Sequence, residues 1–199
     1  MGNPRYENGF RVTLHPDKLQ EPLSWRAPRV VFVNSMSDLF HPEVPEKFIW
    51  SLLETVEAAS QHTFQVLTKR PQRAVQILDG FRLPSNFWMG TSIENERYVF
   101  RADYLRKIDV ETRFLSCEPL IGPLPSLDLA GIGWVIVGGE SGPNHRPIEA
   151  DWVRHIRDLS TREGVPFFFK QWGGHTAKAG GRELDERTWD EMPGGLQVT

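Results

Sequence analysis

Short apolar runs alternate along the chain with segments of helical periodicity. Six such runs predict strands, at residues 30–33, 63–67, 87–89, 112–115, 134–137 and 167–169. Apolar residues at helical spacing predict helices at residues 45–60, 71–78, 94–108 and 151–163. A further short strand is predicted at residues 10–14. Because the six runs are apolar throughout, they are typical of strands buried on both faces, as in a parallel sheet.

This order of elements predicts an α/β fold in which a helix or a long connection joins each strand to the next. The expected architecture is an incomplete parallel βα barrel of about six strands, and a doubly wound parallel sheet is the alternative. A closed eight-stranded barrel takes roughly 250 residues, and this chain has 199. We expect a single domain over residues 1–172 and a Gly-rich tail, residues 173–199, that packs on it or trails from it.

Composition limits the classes of function. The formal net charge is −3 and the isoelectric point is about 6.1. No basic stripe is evident, so a general affinity for nucleic-acid phosphates is not favoured. The single cysteine excludes an intramolecular disulfide framework and favours a reducing, cytoplasmic location. The sequence has neither an apolar run long enough to cross a bilayer nor the apolar start of a signal peptide, so no membrane association is expected.

Polar or glycine-rich residues follow every predicted strand, directly after its last apolar residue. Parallel α/β sheets bind ligands at the carboxyl ends of their strands, so this pattern predicts a binding or catalytic mouth. Each carboxylate there either acts as an acid, base or ligand, or pairs with a neighbouring cation, and the sequence leaves both interpretations open. The candidate residues are Asn34, Ser37, Asp38, Lys69, Arg70, Ser92, Glu94, Glu118, Gly138, Gly139, Glu140, Ser141, Lys170 and Trp172.

Three further features carry weaker signals. Residues 138–142 form a glycine-rich turn that permits close backbone approach to a ligand, but the Lys-Ser/Thr ending of a phosphate loop is absent. Cys117 is interpreted as an inert buried thiol, because the adjacent Glu118 does not lower its pKa. His41 and His145 lack the spacing that is typical of metal ligands.

Seven segments resemble one family, the three-cysteine-motif proteins of phages and prophages, whose function is unassigned. The segments are FVNSMSDLFHPEVP, TFQVLTKRPQR, WMGTSIEN, RFLSCEPLIGP, WVIVGGESGPNHRP, PFFFKQWGG and GRELDERTWDEMP. The resemblance extends from about Asn8 to Pro193. Members of this family resemble radical S-adenosylmethionine enzymes, with three cysteines near the N-terminus as ligands of a [4Fe–4S] cluster on a partial βα barrel. The resemblance therefore implies that fold, and S-adenosylmethionine as the candidate cofactor.

The chain departs from this family at its cysteines. A site-differentiated cluster needs three protein thiolates, whereas this chain has only Cys117, which is not one of the three. We therefore expect a [4Fe–4S] cluster only if an upstream cysteine segment exists, either because the chain is a fragment or because its start is wrongly assigned. The alternative is a short form that kept the barrel, lost the redox chemistry, and binds S-adenosylmethionine or another small ligand.

Roles within this resemblance are assigned from position at the strand ends. The predicted catalytic residues are Glu118, Lys69, Asp38 and Lys170. The predicted cofactor-binding residues are Gly138, Gly139, Glu140 and Ser141. The predicted substrate-binding residues are Asn34, Ser37, Arg70, Ser92, Glu94 and Trp172, with the Trp172 ring stacking on the ligand.

Two other functions stay open beside a radical S-adenosylmethionine-like enzyme domain. One is a non-catalytic, phage-encoded binding protein that acts on a host or phage partner. The other is a metal-dependent hydrolase on a βα barrel, which would use the carboxylates with His41 or His145. The expected location is the cytoplasm of the host cell, and the expected partners are a small ligand and a host or phage protein.

Overall fold

Six parallel strands form the central sheet of the computed structural model, which describes residues 11–34 and 37–195. The strands are β1 (Val30–Phe32), β2 (Thr63–Thr68), β3 (Phe87–Ser92), β4 (Thr112–Cys117), β5 (Trp134–Gly138) and β6 (Phe167–Gln171). They are hydrogen-bonded in chain order, and every neighbouring pair is parallel. A doubly wound sheet reverses its strand order partway, so the uninterrupted order confirms the incomplete barrel, curled here into a half-barrel, over that alternative.

Helices and helical turns occupy the connections between the strands. The α-helices are α1 (Pro16–Leu19), α2 (Glu46–Ala58), α3 (Pro71–Ile77), α4 (Arg101–Leu105) and α5 (Ala150–Glu163). Single 3-10 turns lie at Glu21–Ser24, Glu96–Tyr98 and Pro193–Gly195. Helix α5 ends at Glu163, and the next residue, Gly164, has a φ of 67°, the left-handed conformation that stops a helix.

Two of the predicted elements need correction. The continuous helix predicted at residues 94–108 is divided into a 3-10 turn and α4, because the Asn95 side chain accepts a hydrogen bond from the Arg97 amide and competes with helical pairing. The strand predicted at residues 10–14 is also wrong over 11–14, while residue 10 lies outside the described residues. Val12 and Leu14 pack against the core without joining the sheet, so their alternation reflects packing rather than strand pairing.

The two faces of the sheet bury different sets of side chains. On the outer face, residues such as Val66 and Val135 pack in one large core with residues of the surrounding helices, such as Ile49 and Ile156. On the inner face, the aromatic side chains form a separate cluster. Its members are Trp88, Phe114 and Trp134, with Leu67, Ile136, Phe168 and Met192 packed against them.

Gly90 in β3 makes room for the inner cluster. The Phe114 ring of the neighbouring strand lies against the Gly90 backbone, and a Cβ at position 90 would be 2.3 Å from that ring. No real side chain tolerates such a contact without a shift of the ring. A glycine is therefore required in the middle of this buried strand for steric reasons.

The C-terminal segment covers the free edge of β6. It begins with a small antiparallel hairpin, β7 (Glu183–Leu184) and β8 (Arg187–Thr188). The Phe169 amide then donates to the Trp189 carbonyl at 2.9 Å, and the Glu191 amide to the Phe167 carbonyl at 3.2 Å. The Trp134 indole donates to the Glu191 carbonyl at 2.8 Å, which holds this segment across the amino end of the inner face.

Candidate functional site

The inner face of the half-barrel surrounds a cavity of about 240 Å³. Its lining residues are Phe32, Gln65, Leu67, Phe114, Ser116, Glu118, Trp134, Ile136, Phe168 and Lys170. The walls are mostly apolar and aromatic, and the ionisable groups lie at the carboxyl ends of β4 and β6. Small-molecule pockets usually measure about 300–1,000 Å³, so this cavity suits one ring system, with the rest of a ligand at the mouth.

Glu118 and Lys170 form an ion pair at the mouth of the cavity. The Lys170 Nζ lies 3.0 Å from the Glu118 Oε2, and the Ser116 hydroxyl donates to Glu118 Oε1 at 3.3 Å. A Cβ on Gly138 would lie 2.9 Å from the same carboxylate, so this glycine leaves space for it. The structure thus brings together two of the four residues predicted as catalytic, with a predicted cofactor-binding glycine beside them.

Gln65 is a cavity residue that the sequence analysis missed. Its side chain comes from the middle of β2 and the residue is only 7% exposed. Among the described residues, no hydrogen-bond acceptor lies within reach of its Nε2. An unpaired buried amide costs about 1–3 kcal/mol. The available signal was a polar amide inside the apolar run TFQVL, where a valine or leucine would be expected.

Asp38 fastens the loop after β1 to the end of β2. Its Oδ1 accepts hydrogen bonds from the Thr68 hydroxyl at 2.6 Å and the Phe40 amide at 3.0 Å. Its Oδ2 accepts from the Lys69 amide at 3.2 Å and from the Arg70 guanidinium at 2.6 Å. These contacts describe a positioning role for Asp38 and Arg70, and the predicted catalytic and substrate-binding roles stay predictions.

Glu94 is a nearly buried carboxylate held by two cations. The Lys69 Nζ lies 2.6 Å from one of its oxygens and the Arg101 Nη1 lies 2.8 Å from the other. The same Arg101 nitrogen donates to the Ser92 carbonyl, and its guanidinium lies 4.1 Å from the centre of the Tyr98 ring. Burial of a carboxylate requires such pairing, so the network fixes the chain that leaves β3.

Asn34 continues the ladder between β1 and β2 with its side chain. Its Nδ2 donates to the Leu67 carbonyl at 2.6 Å and to the Ser37 carbonyl at 3.1 Å. The Leu67 amide donates in turn to Asn34 Oδ1 at 3.3 Å. Ser37 is exposed, and Ser92 is buried in β3. Substrate contact by Asn34, Ser37 and Ser92 stays a prediction.

The glycine-rich turn after β5 allows two backbones to cross. A Cβ on Gly139 would lie 1.9 Å from the Trp172 carbonyl oxygen, and one on Gly173 would lie 2.1 Å from the Glu140 carbonyl oxygen. This close approach requires glycine at both positions and accounts for the paired GG segments after β5 and β6. Gly139, which is predicted to bind cofactor, therefore also has a structural reason to be glycine.

Glu140 and Ser141 make local contacts beside this crossing. The Glu140 carboxylate accepts three hydrogen bonds from Arg146, each at 2.8 Å, which lower the pKa of Glu140 to about 2. The Ser141 hydroxyl accepts from the Gln171 side chain at 3.2 Å. These contacts hold the β5–α5 loop against the end of β6, and cofactor binding by the two residues stays a prediction.

Trp172 packs beside the outer core. Its ring lies edge-on to Phe169, with centroids 4.7 Å apart, and its indole donates to the Glu183 carbonyl at 2.7 Å. Phe169 belongs to the large core on the helix side of the sheet. Trp172 is not among the residues that line the cavity, so its stacking on a ligand stays a prediction.

Cys117 lies in the outer core with no exposed surface. Burial, together with the negative charges of Glu118 and Glu94, raises the pKa of its thiol, as expected for an inert core cysteine. A single buried thiol does not supply the three thiolates of a [4Fe–4S] cluster, so the residues of this chain do not fit that group. Within residues 11–34 and 37–195, no group of three or more His, Cys, Asp or Glu side chains is placed to hold a metal ion.

Comparison with known proteins identifies the family. A family model described as a protein of unknown function, DUF5131, matches residues 2–193. No curated protein and no solved structure matches the chain significantly. Throughout the part of the chain that the structure describes, no helix has both the length and the apolar character needed to cross a bilayer. Because the match covers nearly the whole chain, the protein is a member of the DUF5131 family.

Proposed function

We propose that this protein binds a small organic molecule on the inner face of its half-barrel, with Glu118 and Lys170 as the charged contacts. The observation that supports the proposal is a charge pair at the mouth of an aromatic-walled cavity. The two side chains, 19% and 54% exposed, are open to a ligand from the solvent side. The mouth lies at the carboxyl ends of parallel strands, where such folds bind their ligands.

S-adenosylmethionine is the ligand that the resemblance to radical S-adenosylmethionine proteins of phages suggests. Its amino-acid end carries one ammonium and one carboxylate, which complement the Glu118 carboxylate and the Lys170 ammonium. The cavity aromatics with exposed surface, Phe32 and Phe168, suit its adenine ring and attract its sulfonium charge. The proposal covers binding alone, because the residues of this chain do not fit the cluster.

Titration with S-adenosylmethionine, followed by methyl NMR, tests the proposal. Leu67 and Ile136 line the cavity, whereas Leu53 lies in the outer core and serves as an internal reference. We expect ligand-dependent shifts at the two cavity methyls and none at Leu53. A titration to about 1 mM ligand detects a binding free energy as weak as about −4 kcal/mol. Cavity methyl signals that do not shift at that concentration would contradict the proposal.

Removal of either charge tests the predicted contacts. Glu118→Gln and Lys170→Met each lose a charged hydrogen bond to the ligand, worth about 1.5–3 kcal/mol. We therefore expect each variant to bind S-adenosylmethionine about tenfold more weakly or worse. The exposed residues Glu163 and Lys107 provide matched controls, because Glu163→Gln and Lys107→Met make the same changes away from the cavity. Equal losses in the controls would show that net charge, rather than the mouth, sets the affinity.

A further inference from the structure

One polar side chain that lines the cavity has incomplete hydrogen bonds. Gln65 is more than nine-tenths buried, lines the cavity, and has an Nε2 without an acceptor among the described residues. Ser160 is the other described residue with such an atom, but it belongs to α5 and does not line the cavity. Native proteins rarely leave buried amides unpaired, so Gln65 needs an acceptor that residues 11–34 and 37–195 do not supply.

The register of the sheet separates Gln65 from the charged mouth. Gln65 is the third of the six residues of β2, and its register partners are Phe32, the last residue of β1, and Trp88, the second residue of β3. Glu118 and Lys170 come instead from the carboxyl ends of β4 and β6. A single ligand that fills the cavity therefore contacts the charged groups at the mouth, the aromatic side chains of the walls, and the Gln65 amide away from the mouth.

We propose that Gln65 hydrogen-bonds the edge of an adenine-like ring, so that the cavity selects an adenine nucleoside and leaves its polar remainder at the mouth. A glutamine amide presents one donor and one acceptor side by side, which match a ring nitrogen next to an exocyclic amine, as in adenine. The cavity aromatics with exposed surface, Phe32 and Phe168, contact the ring faces. This inference deepens the proposed function and rests on it.

Stability and binding are expected to respond in opposite ways to replacement of Gln65. If Gln65 served the fold, Gln65→Leu would lower the melting temperature of the free protein. Since its Nε2 is unpaired, leucine should leave the melting temperature unchanged or raise it by about 2–6 °C. Among the described residues that line the cavity, Gln65 has the one side-chain amide, so its replacement should weaken binding of the ring.

The test compares three proteins and three ligands by methyl NMR and calorimetry. The proteins are the wild type, Gln65→Leu, and Gln76→Leu, which makes the same change at an exposed position of α3. The ligands are adenosine, purine riboside, which lacks the exocyclic amine, and S-adenosylmethionine. We expect wild type and Gln76→Leu to bind adenosine at least about tenfold more tightly than purine riboside, and Gln65→Leu to lose that preference.

Each outcome separates this inference from the function on which it rests. Adenosine selectivity that disappears in Gln65→Leu, without a loss of melting temperature, supports the inference. Cavity shifts with S-adenosylmethionine that are equal in wild type and Gln65→Leu overturn it and leave the proposed function in place, and they would mean that Gln65 pairs only with a buried water. A lower melting temperature for Gln65→Leu overturns it as well. Cavity methyl signals that stay unchanged with all three ligands overturn both this inference and the proposed function.

Discussion

The charged residues of the mouth lie in pairs in which the cation is the more exposed member. The Lys170 side chain is 54% exposed against 19% for Glu118, and that of Lys69 is 55% exposed against 9% for Glu94. A molecule that approaches the mouth therefore meets ammonium groups before carboxylates. The sequence predicts these residue types at the strand ends, but not their pairing, because pairing depends on how the loops of neighbouring strands fold over one another.

Gln65 and Gly90 show why some residues escape sequence reasoning. Both lie inside predicted strands or at their ends. The apolar pattern there predicts a buried strand, but it does not explain why one position holds a glutamine or a glycine. The role of Gly90 depends on a ring in the next strand, and the role proposed for Gln65 depends on the cavity at the inner face of the sheet. Contacts of this kind become visible only when the strand order and register are known.

Gly90→Ala tests the steric requirement in β3. The added methyl would overlap the Phe114 ring, a rigid neighbour, so we expect a loss of about 1–3 kcal/mol in the free energy of unfolding. Gly133→Ala is the matched control, because its Cβ would have ordinary contacts at 3.5 Å or more. Urea unfolding of both variants measures the difference, and equal stabilities would show that the ring moves aside at no cost.

At the level of elements, sequence periodicity predicts most of the sheet. All six predicted strands of the sheet form, because each apolar run is long enough to be buried and is bounded by polar residues or glycine. The divided helix after β3 was missed, because local capping by Asn95 outweighs the apolar spacing. The β7–β8 hairpin was also missed, since its four strand residues carry no recognisable alternation.

The loop between β5 and α5 should have a stability that depends on pH. Arg146 lowers the pKa of Glu140 from 4.5 to about 2, so protons bind this carboxylate more tightly in the unfolded chain. The contribution is therefore fully present above about pH 4.5 and is lost as the pH falls towards 2. We expect the stability difference between wild type and Glu140→Gln, measured by urea unfolding, to shrink over that range.

Arg146→Gln provides the matching variant for this pH dependence. It removes the two guanidinium hydrogen bonds and keeps the one from the backbone amide. Its stability difference from wild type should therefore fall with pH in the same way. A difference that stays constant between pH 7 and pH 3 in both variants would mean that the exposed pair contributes nothing through ionisation.

The whole molecule is an open half-barrel, and its two edge strands, β6 and β1, differ in how far they are covered. The β6 edge is covered by the backbone around Trp189, and the Trp189 ring packs against Phe167 with centroids 5.8 Å apart. On β1, Val30 and Phe32 are 48% and 42% exposed. The order of strands followed from the sequence, whereas the cover on β6 did not, because a Gly-rich tail has no periodicity that predicts pairing.

Trp189→Ala tests how the C-terminal segment is held. Loss of the ring should release the segment from β6, so the Phe169 amide, which donates to the Trp189 carbonyl, should exchange its hydrogen faster. The Val135 amide, which donates to the Pro166 carbonyl within the sheet, serves as a reference in the same molecule. Equal acceleration of both amides would indicate global destabilisation and contradict a local fastening role.

The chain-order sheet has a consequence for synthesis on the ribosome. Each strand pairs with the strand made just before it, so the sheet can grow one βα unit at a time as the chain emerges. The aromatic inner cluster is completed differently, because Met192 and the Glu191 carbonyl that binds Trp134 are made after all six strands. A nascent chain that already has its six strands therefore still exposes part of that cluster, which is completed when residues 191 and 192 emerge.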